Sequence, residues 1–200
     1  MEFKYHTKDA YYFNKLKPLF PYLKMTKGFI AGGVFKDIFL DKPFRDIDFF
    51  FECEADFIES RNKFIRDTSF KLKYRNENAF GFINETTQLN IELICKKFGT
   101  PSEILNGFDF SVSKFALYLD DRDLYVKFHP LFFEDLSDKK LRFDLNNRSP
   151  INQINRILKY SRYGFKVAPT DIHLLLNKIN QLDSSEFDEI LFSDIIDRYY

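Results

Sequence analysis

Residues 29–51 read FIAGGVFKDIFLDKPFRDIDFFF. The apolar run from Phe29 to Ala31 predicts a short buried strand that meets Gly32 and Gly33. GVFKDIFLD then spaces Val34, Ile38 and Phe39 along one helical face, and Pro43 lies just past its end. From Asp46 the run DIDFFFEC predicts a second strand. A glycine pair between strand and helix leaves backbone N–H groups open at the positive helix end, a setting suited to phosphate. Asp46 and Asp48 stand two residues apart on a strand, so both side chains leave by one face. Carboxylates that close repel unless a positive charge sits between them, and a hard divalent cation such as Mg²⁺ with oxygen ligands meets that need. This is the layout of metal-assisted phosphoryl transfer on a nucleotide.

Before this stretch, residues 7–23 predict one or two short helices broken by Pro18 and Pro21. After it, EADFIESRNKFIRDT predicts a helix, and FKLKYR, AFGFIN and QLNIELICKK predict three strands, the last two joined by the polar turn NETT. In LNIELI, Asn90, Glu92 and Ile94 share one face. Glu92 is therefore a charge inside an otherwise apolar strand, which leaves three readings: a member of the acid site, a partner of Lys71 or Lys73 on a neighbouring strand, or an exposed edge residue. Thr100, Pro101 and Glu103 form a capping-box helix start. A helix in SVSKFALYL, a strand in LYVKFH, a helix in FFEDLSDKK and a strand in LRFDL follow. Beyond Asn146 three segments, SPINQINRILKYSRYGF, TDIHLLLNKINQL and SSEFDEILFSDIIDRYY, begin at Ser or Thr and carry helical spacing. The expected organisation is a head domain over residues 1–146 and a helical extension over 147–200.

Composition narrows the function classes less than the motifs do. Thirty Lys and Arg balance thirty Asp and Glu, so any nucleic-acid partner must be held by a local basic surface. Cys53 and Cys95 are too few for a disulfide framework and lie in strand-like runs, which predicts buried thiols in a reducing compartment. No apolar run approaches the roughly 20 residues that span a bilayer, and the start lacks a signal-peptide pattern, so no membrane partner and a cytoplasmic setting are expected. His6, His129 and His173 are scattered without ligand spacing.

The stretch AGGVFKDIFLDKPFRDIDFFF resembles the head-domain signature of class II tRNA nucleotidyltransferases (CCA-adding enzymes) and bacterial poly(A) polymerases. DFSVSKFALYLDD, FFEDLSDKKLRF and RILKYSRYGF are similar to three further segments of that family, in the same order. The resemblance implies an α+β nucleotidyltransferase (polymerase beta-like) fold, a mixed sheet flanked by helices with a small C-terminal helical extension. It also implies a two-metal Mg²⁺ site and transfer of a nucleoside monophosphate from ATP or CTP to a hydroxyl, such as a tRNA 3′ end. Carried across, it gives Asp46 and Asp48 the metals and, with Glu92, the catalysis. Gly32, Gly33, Lys36, Arg45, Asp109, Arg156 and Lys159 would contact the nucleotide.

The family's paired arginines before Asp-Phe-Thr are Gly107 and Phe108 here, and its base-reading Glu-Asp-x-x-Arg is replaced by SPINQIN ahead of Arg156. Three readings follow: nucleotide addition to RNA, NMP transfer to a protein or small molecule, and a non-catalytic nucleotide- or RNA-binding module of the same fold.

Overall fold

The computed structural model describes residues 2–4, 14–120, 123–142 and 150–182. They fall into two units, Met1–Asn106 with Ser113–Pro130, and Gly107–Val112 with Leu131–Tyr200. The expected division near Asn146 and the terminal helix expected in SSEFDEILFSDIIDRYY lie outside the described residues.

The first unit holds strand β1 (Glu2–Lys4), a 3-10 turn (Lys17–Leu19) leading into helix α1 (Phe20–Met25), β2 (Phe29–Ala31), α2 (Gly33–Phe39), β3 (Asp46–Phe50) and α3 (Glu54–Arg66). Then come β4 (Phe70–Arg75), β5 (Ala79–Asn84), β6 (Leu89–Ile94), α4 (Pro101–Asn106), β7 (Phe115–Asp120) and β8 (Asp123–Phe128). The eight strands form one sheet in the order β1-β8-β7-β2-β3-β6-β5-β4. Only β3 and β6 run parallel, joined through α3 and the β4–β5 hairpin; the other neighbours are antiparallel.

The two faces of the sheet differ in chemistry because strand side chains alternate. One face carries Ile47 and Phe49 of β3, level with Ile91 and Leu93 of β6, and all four are fully buried. Against this face pack Phe35 and Phe39 of α2, on Phe115, and Phe64 of α3, on Phe82. The core is aromatic, and each such ring removes roughly 150–250 Å² from water. The other face receives Asp46, Asp48, Asn90 and Glu92, and its β2–β7–β8 part is covered by α4.

Local chemistry sets the element ends. Pro18 and Pro21 lie in the opening turns of the 3-10 turn and of α1, where a missing N–H is harmless. At α4 the Thr100 N–H and hydroxyl both donate to Glu103 Oε2 at 2.8 Å, and the Glu103 N–H returns to Thr100 Oγ1 at 3.4 Å, the capping box read from the sequence.

Two expectations fail. The helix expected in SVSKFALYL is a single 3-10 turn, Ser111–Ser113, followed by β7. Periodicity could not separate the alternatives, since FALYL is a continuous apolar run; β7 is a central strand paired on both sides and buried through Phe115, Ala116 and Leu117. Cys53 is not a buried strand thiol either. It is exposed just before α3, with Sγ donating to Asp56 Oδ2 at 3.3 Å, and Cys95 is half-buried.

The second unit contains α5 (Phe132–Ser137), β9 (Lys140–Leu141), α6 (Pro150–Ser161), β10 (Lys166–Val167) and α7 (Pro169–Ile179), with β9 and β10 parallel. Its core gathers Phe110, Phe132, Leu136, Leu141, Tyr160, Phe165 and Leu175. Tyr160 of α6 contacts the rings of Phe110 and Phe165, and the Lys139 ammonium lies 4.9 Å from the centre of Phe165.

Candidate active site

The open face of the first unit's sheet carries the acids. Asp46 is exposed and Asp48 half-buried on β3, while the intervening Ile47 is sealed on the opposite side. Parallel pairing sets Asn90 level with Asp46 and Glu92 level with Asp48, so three carboxylates and one amide share a face. Asn90 Nδ2 donates to Asp46 Oδ1 at 2.8 Å. Next to Glu92 on its far side is Gly81 of β5. The ring of Tyr74, from edge strand β4, occupies the place a side chain at Gly81 would take: a Cβ there would lie 2.2 Å from Tyr74 Cε1. The Tyr74 hydroxyl lies beside Glu92. Burial first, then the hydrogen bond it offers Glu92 and the charges of Glu92, Asp48 and Asp46, hold its pKa well above the ordinary tyrosine range.

The glycine turn adjoins the acid pair. Ile30 pairs with Phe49, so one further step of the antiparallel register sets Ala31 level with Asp48, and the glycines follow directly. Gly32 takes φ 100° and ψ −141°, on the positive side that favours glycine, and donates its N–H to the Phe115 carbonyl at 3.1 Å. A Cβ on Gly33 would meet nothing within 4 Å, so this glycine faces open space.

The remaining residues named from the sequence sit in other settings. Lys36 is buried on α2 and donates to Asp37, so its charge is compensated inside the unit. Arg45 is exposed just before β3, and its carbonyl accepts the Asn90 N–H at 2.7 Å. Of the lysines considered for Glu92, Lys71 reaches Glu85 at 3.2 Å and Lys73 reaches Asn90 Oδ1 at 3.4 Å.

Asp109 and Arg156 lie in the second unit and pair with each other. Arg156 Nε is 2.9 Å from Asp109 Oδ2, an ion pair whose angles are not those of a hydrogen bond, and Asp109 is fully buried. The Arg156 guanidinium carbon is also 5.9 Å from the ring centre of Phe110. Lys159 is exposed on the same helix, α6. A second buried acid, Asp135, accepts from Ser111 Oγ at 2.6 Å and from Arg142 Nε at 3.2 Å, and this pairing holds the Arg142 pKa above its ordinary value.

For a metal, the donor set is mixed. Asp46 and Asp48 offer carboxylate oxygens on one face, the chemistry a hard divalent cation takes. Among the described residues no three His, Cys, Asp or Glu side chains gather closely enough to hold an ion. The pair suits the ion; the third acid is not gathered with it.

Sequence reasoning missed Asn90 as a partner of Asp46 and missed Tyr74 altogether. One signal was present: Gly81 inside the apolar run AFGFIN marks a place where something packs close to the backbone.

The mixed sheet flanked by helices resembles the nucleotidyltransferase head domain of CCA-adding enzymes. Solved structures agree: the chain is similar to the Thermotoga maritima CCA-adding enzyme complexed with tRNA (TM-score 0.62, 22% identity, 80% of this chain and 41% of that one). It is likewise similar to a CCA-adding enzyme in complex with ATP (TM-score 0.64, 21% identity, 88% of this chain and 46% of that one). At such identities the likeness is one of fold. A family model, "Gad2: Gabija anti-defense 2 family protein", matches residues 3–139, and the chain belongs to that family. It is 26% identical over 172 residues to "Gabija anti-defense 2" of Bacillus phage SPbetaL7; the match takes in 84% of this chain and 41% of the relative, so the chain spans about two fifths of that relative's length. Among the described residues no helix is long and apolar enough to cross a membrane.

Proposed function

We propose that the chain is a nucleotidyltransferase that moves a nucleoside monophosphate from an NTP to a hydroxyl acceptor and acts, like its phage relative, against the Gabija defence. The observation that carries this reading is the placement of Asp46 and Asp48 on one open face of β3, with Glu92 level with Asp48 on the parallel neighbour. The fold shared with CCA-adding enzymes solved with ATP and CTP supports it.

Asp46 and Asp48 would hold Mg²⁺, which when bound supplies positive charge to the phosphate oxygens. Gly33, facing open space beside the pair, leaves room for the triphosphate. The acceptor oxygen bonds to the α-phosphorus, the bond to the bridging oxygen breaks, and pyrophosphate leaves with the electron pair. Glu92, level with Asp48 on the neighbouring strand, would take the acceptor's proton. The cost of holding two like charges side by side is what the cation offsets.

An RNA 3′ end is the first acceptor to test, and the components of the Gabija defence are the second. Incubating the chain with each of four α-labelled NTPs, Mg²⁺, total RNA and those components identifies both base and acceptor. Label on RNA supports polymerase-like addition; label on a protein supports modification of the defence. Pyrophosphate release absent with every acceptor, together with NTP binding, would favour the non-catalytic module, a reading that the existing partners of Asp46 and Glu92 also favour.

A further inference from the structure

Edge strand β4 does not run in simple register with β5. Leu72 pairs with Phe82, then the ladder skips, and Tyr74 pairs with Gly81 and Arg75 with Phe80. An unbroken ladder would set Lys73 opposite Gly81 and turn Tyr74 onto the face where α3 packs. The extra residue reverses the parity, so Tyr74 leaves on the acid face, the way bulges re-aim a side chain. Gly81 then provides the flat surface the ring needs, since no Cβ stands in its way. Glu92 is the β6 partner of Gly81, so a ring lying over Gly81 delivers its hydroxyl to that carboxylate. The bulge residue itself, Lys73, reaches Asn90, which in turn donates to Asp46. Two consecutive residues of one edge strand therefore reach β6, one at Asn90 and one at Glu92, and Asn90 carries the contact on to Asp46 of β3.

From the bulge, the Gly81 platform and the strand register we infer that Tyr74 is a positioning residue of the acid site, holding Glu92 back from the Asp46–Asp48 pair. This rests on the reading of Asp46 and Asp48 as cation ligands. Without the hydroxyl, Glu92 loses the bond that draws it toward β4 and is able to join a cation held by the pair. A hydrogen bond to a charged group is worth enough to shift such an equilibrium about tenfold.

The test is Mn²⁺ binding by the full chain with no nucleotide present, followed by the electron paramagnetic resonance signal of unbound Mn²⁺, for wild type, Tyr74→Phe, Glu92→Gln and the double variant. Tyr74→Phe is expected to bind Mn²⁺ about tenfold more tightly than wild type, and the same change on the Glu92→Gln background to have no effect. Gly81→Ala, which pushes the ring off its platform, should shift binding the same way. Unaltered or weaker binding in Tyr74→Phe, or an equal shift on the Glu92→Gln background, would overturn the inference. Mn²⁺ binding that survives in an Asp46→Asn, Asp48→Asn double variant would instead overturn the cation-pair reading beneath it.

Discussion

Acids in the two units are treated in opposite ways. In the second unit Asp109 and Asp135 are fully buried, and each faces an arginine: Arg156 at 2.9 Å and Arg142 at 3.2 Å. In the first unit Asp46, Asp48 and Glu92 share an open sheet face, where the Asn90 amide donates to Asp46. A buried acid with a cationic partner is satisfied within the fold, and removing one member leaves an uncompensated charge. Acids on an open face stay within reach of ions and ligands from solution. The contrast separates acids paired inside the fold from acids presented to solvent, although both sets belong to motifs that resemble one enzyme family.

Breaking that contrast should have graded effects. Asp46→Asn or Asp48→Asn is expected to lower labelled-nucleotide transfer by about three decades, since charge stabilisation through a bound cation is worth several kcal/mol. Thermal unfolding of the same variants should stay near wild type or rise slightly as repulsion is relieved. Asp135→Ala should do the reverse, costing about 1–3 kcal/mol in urea unfolding by leaving the buried Ser111 hydroxyl without its acceptor. Gly28→Ala makes a control that changes none of these acids. Its Cβ would lie 2.5 Å from the Phe50 carbonyl oxygen, so a loss of about 1–3 kcal/mol is expected from overpacking alone.

The smallest effect belongs to an exposed acid, Glu103. Hydrogen bonds from the Thr100 N–H, and then from its hydroxyl, hold its carboxyl below the ordinary 4.5. A lowered folded-state value means the stabilisation is complete above the ordinary glutamate range and is lost as pH falls through the folded value. Urea midpoints measured from pH 6 downward should therefore decline a little more steeply in wild type than in Glu103→Gln.

Much of the first unit was legible because its signals are local. Gly32-Gly33, the spacing of Asp46 and Asp48 and the Thr100 to Glu103 box each determine their geometry within a few residues. The helix expected over residues 111–119 was misread because an apolar run carries no period, and only pairing with β2 and β8 decides its state. Tyr74 was invisible for a related reason. Its face depends on one skipped register position against β5, a property of two strands together rather than of FKLKYR alone. The resemblance assigned Asp109 and Arg156 to the nucleotide, and nothing in the sequence indicated that each would be the other's partner.

The central claim is that Asp46 and Asp48 carry nucleotidyl transfer. The direct measurement incubates wild type and the Asp46→Asn, Asp48→Asn double variant with α-labelled NTPs, Mg²⁺, total RNA and the Gabija components, and reads acceptor-bound label together with released pyrophosphate. The account predicts both products in equal amounts from the wild type and neither from the variant at unchanged fold. Equal label from the two proteins, or none from a wild type supplied with every NTP and both acceptor classes, would contradict it.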